Sequence, residues 1–203
     1  MSKGMRALAV AACCAYPALN HAAAVTDDPR WAALGIALVC WALLAGKSGV
    51  LLAVPVAAVS FVLALLVAAW MPGALLYAPP VVVNLALCAF FARTLRPGRE
   101  PLVSRFARVM RGGQLAPDLA RYTRNLTAAW AGFFALMAAV SVILAVTGPV
   151  AVWSLFSNFL NYVLVALFLV AEYVYRRLRY RHHDHASPRQ MISRLLDYKA
   201  ILR

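Results

Sequence analysis

The sequence predicts an all-α, polytopic membrane protein: a bundle of six transmembrane helices with amphipathic surface helices on its cytoplasmic side. Three observations predict it. The 203-residue chain is 64% hydrophobic, against roughly half for a soluble globular domain, so one water-facing core cannot hide its apolar surface. Its apolar residues fall into runs close to the roughly 20 residues that cross a bilayer as helix. Finally, with six spans, every one of the 20 lysines and arginines except Arg30 falls on the same side. The whole chain, 1–203, reads as a single membrane domain with no separate soluble domain.

The first span covers about 7–25. It follows a short basic start and is interrupted by Tyr16, Pro17, Asn20 and His21. The basic start, apolar middle and small residues Ala22–Ala24 also fit a cleaved signal peptide. The retained helix is preferred, because Pro17, Asn20 and His21 crowd the cleavage region and an even span count keeps both termini on the basic side. An acidic turn at Asp27–Asp28 leads to the second span, 31–46, and a turn at Lys47 to the third, 50–70. The uncharged turn Met71–Pro72–Gly73 precedes the fourth, 74–92, which contains Pro79, Pro80 and Asn84. A long polar loop, 93–127, separates it from the fifth, 128–146. The turn Thr147–Gly148–Pro149 leads to the sixth, 150–174, and a basic tail covers 175–203.

Basic residues stay cytoplasmic. The charge asymmetry therefore places both termini in the cytoplasm. A net charge of +13 would otherwise suggest nucleic acid. Here it sits in short segments beside apolar runs, the pattern for anionic lipid head groups, and nucleic acid is not an expected partner. Cys13, Cys14, Cys40 and Cys88 lie inside apolar runs with no metal-ligand spacing, and read as small apolar filler. No cofactor or metal is expected. His182, His183 and His185 form one cluster on the side opposite His21, too little for a di-iron site.

The loop 93–127 holds eight arginines against Glu100 and Asp118. Residues 101–111 read as an amphipathic helix. Leu102, Val103, Phe106, Val109 and Met110 share one face, and Arg105, Arg108 and Arg111 the other, a pattern suited to the membrane interface. Gly112–Gly113 ends it. Pro117 and Asp118 then suit the first turn of the helix that runs through Tyr122 into the fifth span. Two readings stay open. One is an anion or head-group site built from Arg105, Arg108, Arg111, Gly112, Gly113, Arg121 and Arg124. The other is a positively charged loop lying on anionic lipid. In the tail, Ser187-Pro188-Arg189-Gln190 resembles a capping box opening a second amphipathic helix through Met191, Ile192, Leu195 and Leu196.

Polar residues inside a membrane are costly and mark functional candidates. Ser154, Asn158, Asn161 and Glu172 form a stripe on the sixth span. Asn84 reaches a depth similar to that of Asn161, and His21 lies level with Ser154. A polar seam of His21, Asn84, Ser154, Asn158 and Asn161 between the first, fourth and sixth helices follows, with plain interhelical hydrogen bonding as the simpler reading. Glu172 and Arg176, four residues apart, suit an interfacial ion pair. No carboxylate sits at mid-membrane, which argues against proton-coupled transport.

The runs RTLRPGREPLVSRFARVMRGGQLAPDLARYTRNLTAAW and AVWSLFSNFLNYVLVALFLVAEYVYRRLRYRHHDH resemble a family of small bacterial inner-membrane proteins. Its members accompany gene clusters for aryl polyene pigments and related fatty-acid-like envelope lipids, and some carry the label ketosynthase. The resemblance is carried by about residues 77–185; the first three spans match only in pattern. It implies a pathway, the making, attaching or exporting of a polyene or acyl lipid. It implies no mechanism. The ketosynthase label fails chemically, since that reaction needs a Cys nucleophile beside two His in a layered α/β fold, and these cysteines lie in apolar spans. The expectation is an accessory membrane protein that binds lipid or docks acyl carrier protein, or neighbouring biosynthetic enzymes, through its basic loop. An acyl or lipid-phosphate transferase, with Asp118 or Glu172 as base, and a lipid flippase or export component stand as alternatives.

Overall fold

The structure, a computed structural model, describes residues 3–48, 50–71, 73–110 and 115–179. These residues are all-helical, with no strand among them. In order they form α1 (Lys3–Thr26), α2 (Pro29–Ser48), α3 (Val50–Trp70), α4 (Ala74–Arg93), the short α5 (Leu102–Met110), α6 (Pro117–Thr147) and α7 (Val150–Leu155). A π-helical turn (Phe156–Leu160) then joins α7 to α8 (Asn161–Arg179). Four helical stretches are long and apolar enough to cross a bilayer: Ala53–Trp70, Ala74–Arg93, Pro117–Thr147 and Val150–Arg179. They mark a multi-pass membrane protein. The expected six spans are thus met at four among the described residues; in α2 the apolar stretch is the shorter Pro29–Ala45.

Local chemistry explains the helix ends. Asp28 accepts a hydrogen bond from the Arg30 N–H at 2.9 Å, capping α2 with Pro29 in the first helical position, where its missing N–H costs nothing. Asp27 before it takes a left-handed backbone, φ 52°, which turns the chain sharply out of α1. Pro117 and Asp118 open α6. Pro17, Pro55, Pro79 and Pro80 all lie inside helices, as a membrane setting tolerates when neighbours satisfy the freed carbonyls.

The chain divides into two compact units, Met1–Val82 with Ala139–Leu164 and Val83–Ala138 with Val165–Arg203; the boundary falls inside α4, α6 and α8. Each is taken by itself.

In the first unit α2 packs against both α1 and α3, and α1 against α7 and the π turn. Its buried apolar residues are mostly alanines, including Ala12, Ala23, Ala32, Ala33, Ala37, Ala42, Ala53 and Ala64. The large residues of α3, such as Val59, Val62, Leu63 and Leu66, are exposed instead. This is the reverse of a water-soluble core. Lipid solvates Leu and Val as well as a protein interior does, so interhelical faces go to small residues that let backbones approach. Gly35 shows the closeness: a Cβ there would sit 3.1 Å from the Tyr16 ring.

The second unit is built on rings. Trp130 stacks on Phe134 at 5.5 Å and meets Phe168 edge-on at 4.5 Å; Phe91 lies 6.0 Å from Trp130, and Phe133 stacks on Phe168 at 5.1 Å. In the same unit α5 is fastened at three points. The Leu102 N–H donates to Thr94 Oγ1 at 3.0 Å, the Val103 N–H to Thr127 Oγ1 at 3.3 Å, and the buried Ser104 hydroxyl pairs with that of Thr123 at 2.7 Å. The first two bonds occupy donors that every helix leaves open at its start.

Candidate functional site

In the first unit a chain of neutral hydrogen bonds joins α1, α4 and the π turn. Asn20, fully buried, donates through Nδ2 to Asn158 Oδ1 at 3.1 Å and to the Leu76 carbonyl at 3.4 Å. The Leu76 carbonyl needs a donor because the residue four places on is Pro80, which has no N–H to offer. With both Asn20 partners acting as acceptors, its amide orientation is fixed by the network. Asn158 Nδ2 then donates to Ser154 Oγ at 3.0 Å, and Ser154 Oγ lies 2.8 Å from His21 Nδ1. The Ser154 hydroxyl accepts from Asn158 and keeps both its hydrogen and a second lone pair, so it can donate to or accept from His21 Nδ1 according to the ring's tautomer. A side branch runs from Ser157 to Ser141 at 3.4 Å. Ser154 is fully buried and His21 exposed, so the chain connects the interior of the unit with its surface.

Four of the five seam residues, His21, Ser154, Asn158 and Asn161, belong to this unit, and the first three are hydrogen-bonded together. Asn161 Oδ1 is buried without a partner. Asn84 is buried, partnered and part of the second unit. Asn20, which sequence reasoning passed over as a mere interruption of the first span, is the hub. Its signal was present as an amide within a run of apolar residues one turn from Tyr16. The π turn is the other feature missed. The sixth span departs from the uniform α-helix that the stripe assumed, and the departure falls on Ser157 and Asn158. Such turns inside α-helices occur often at functional sites.

In the second unit Glu172 Oε1 lies 3.5 Å from Arg176 Nε and accepts from the Tyr122 hydroxyl at 3.3 Å, while Tyr122 and Tyr175 stack at 5.7 Å. Two donors on one carboxylate make it an anchor between α6 and α8 more than a free base. Of the arginines, Arg108 Nε pairs with Glu100 at 3.1 Å, and Arg124 donates to the Leu95 carbonyl at 3.1 Å. Arg105 and Arg121 are exposed, and Arg105 also has a partner. Arg111, Gly112 and Gly113 lie outside the described residues, as do the tail histidines and the capping box at Ser187. Among the described residues no group of three or more His, Cys, Asp or Glu is placed to hold a metal.

No model of a known protein family matches the chain, and neither does any curated protein or solved structure.

Proposed function

We propose that the chain is an accessory protein of the bacterial inner membrane that presents its basic loop to anionic partners: lipid head groups, and the acidic acyl-carrier machinery of envelope-lipid synthesis. One observation carries the reading. Helix α5 is fastened through its backbone and Ser104 while Arg105 and Arg108 stay exposed. A fixed helix with outward arginines loses little conformational freedom when a phosphate or carboxylate binds, and basic surfaces steer acidic partners. The lipid pathway itself rests on the family resemblance of residues 77–185. In this reading α1 and α2 also cross the membrane, giving six spans with both termini in the cytoplasm, an arrangement that keeps every basic residue but Arg30 on one side.

Two experiments test it. Arg105→Glu, Arg108→Glu and Arg111→Glu together should abolish capture of acyl carrier protein by the purified membrane protein, in a salt-sensitive way; undiminished capture sinks the docking role. For topology, single cysteines at Asp27 and Gly98 in a cysteine-free background should react with impermeant maleimide from opposite sides. Labelling from the same side rules out the six-span arrangement.

An export role is the second reading, favoured by the uncharged buried chain around Asn20. Mass spectrometry of lipids from separated inner and outer membranes of a deletion strain divides the two. Loss of product with a precursor accumulating fits synthesis. Product retained in the inner membrane fits export.

A further inference from the structure

The structure divides the arginines of the basic loop. Arg108 pairs with Glu100, Arg124 donates to the Leu95 carbonyl, and Arg105 has a partner. Arg93, Arg96 and Arg99 are exposed, and their side chains make no hydrogen bond or ion pair among the described residues.

Arg96 and Arg99 are also held in a fixed relation. The Arg99 N–H donates to the Arg96 carbonyl at 3.1 Å, which closes a turn over Pro97 and Gly98. Gly98 has φ 77° and Pro97 is confined to negative φ, the combination of a type II turn. Such a turn brings its first and last Cα atoms within about 7 Å. Its flanks are tied down. The Leu102 N–H donates to Thr94 Oγ1 at 3.0 Å, and the Leu95 carbonyl accepts from Arg124 at 3.1 Å. Glu100, next to Arg99, is engaged with Arg108 at 3.1 Å. The two guanidiniums therefore start from neighbouring, fixed backbone positions, with the adjacent acid already paired.

Position names the source of a ligand. Arg93 is the last residue of the apolar stretch Ala74–Arg93, so the turn begins just beyond a membrane span, in the layer of lipid phosphates. Phe90 on the same helix is 53% exposed, an apolar flank for acyl chains. Charge names the head group. A phosphomonoester carries a charge of about −1.5 to −2 and three acceptor oxygens, enough for two planar guanidinium forks. A diester carries a single charge, which one fork meets.

We propose that the Arg96–Arg99 turn is a binding site for a lipid phosphomonoester, of which phosphatidate is the simplest example. The proposal rests on the reading above, that the basic loop meets anionic partners. It assigns the lipid phosphate to the turn and leaves α5 to the acidic protein partner.

The test uses the full-length protein in nanodiscs holding a phosphatidate with a photoreactive group beside its head. Labelling within 93–102 should saturate, and unlabelled phosphatidate should compete about tenfold better than phosphatidylglycerol with the same chains. Arg96→Lys with Arg99→Lys keeps both charges and loses the forks, and should remove most of that preference. Gly98→Ala keeps both guanidiniums. Its methyl meets nothing within 4 Å, but the positive φ strains the turn, and the preference should fall about threefold. Thermal unfolding confirms that each variant is folded. An unchanged preference in the folded lysine variant overturns the proposal and leaves a loop that reads charge alone. Glycerol phosphate competing as well as phosphatidate overturns the lipid source. If the lysine variant behaves as the parent while the glutamate variant of Arg105, Arg108 and Arg111 loses capture of acyl carrier protein, only the proposal fails. If the loop is neither labelled nor able to capture, the reading beneath it fails too.

Discussion

The two units solve the same problem with different chemistry. The first buries alanines and a chain of neutral amides and hydroxyls. The second buries aromatic rings and keeps its charged groups, Arg105, Arg108, Glu172 and Arg176, in interfacial or exposed settings. Ring packing is dispersion over large areas and tolerates imperfect geometry. Amide chains are directional, and each member left unpaired is costly. The first unit is therefore the specific one, where geometry is exacting. The second is the sturdier frame, on which α5 can be held out to a partner.

Substitutions can break that contrast in graded steps. Trp130→Ala removes the ring that meets Phe91, Phe134 and Phe168. It should cost about 3 kcal/mol of stability, read as a large fall in unfolding temperature in detergent; a loss no greater than that of Asn20→Leu would deny the rings their role as frame. Asn20→Leu leaves the Leu76 carbonyl and Asn158 Oδ1 without a donor and should cost about 1–3 kcal/mol. If the chain is a true network, the double variant Asn20→Leu with Asn158→Leu should cost less than the two single losses added together. Strict additivity would reduce it to separate bonds. Ser104→Ala should cost about 1 kcal/mol, and its sharper effect should be local: faster hydrogen exchange in α5 while α6 stays protected. Smallest is Glu172→Gln, which keeps an acceptor for Tyr122 and loses only the pairing with Arg176. About 0.3–0.5 kcal/mol is expected, vanishing at high salt. A salt-independent loss several times larger would move Glu172 from anchor to buried charge.

How much of this was legible in advance varies by element. The helical segments were, because runs of apolar residues broken by Asp28-Pro29, Pro72-Gly73 and Gly148-Pro149 punctuate the chain locally. Helix α5 was, because Leu102, Phe106 and Val109 recur with helical period against Arg105 and Arg108. The Glu172–Arg176 contact spans one turn and needs no fold to propose it. Asn20 is different. Its partner Asn158 lies 138 residues away, and no local period links the two. Its second partner, the Leu76 carbonyl, is a backbone atom made available by a proline on a third helix. The π turn was equally hidden, since its effect is to shift the register on which any stripe argument depends.

Sequence by itself determined that this chain is helical and multi-pass, where its helices start and stop, and which segments carry its positive charge. Those properties follow from transfer of side chains between water and lipid and from cap and turn chemistry, which act over a few residues. Tertiary structure alone decided which polar side chains meet, which carbonyl Asn20 serves, how α5 is fastened by Thr94, Thr123 and Thr127, and which buried atoms are left wanting a partner. Hydrogen bonds within about 3 Å depend on the mutual placement of distant helices, and hydropathy carries no record of that.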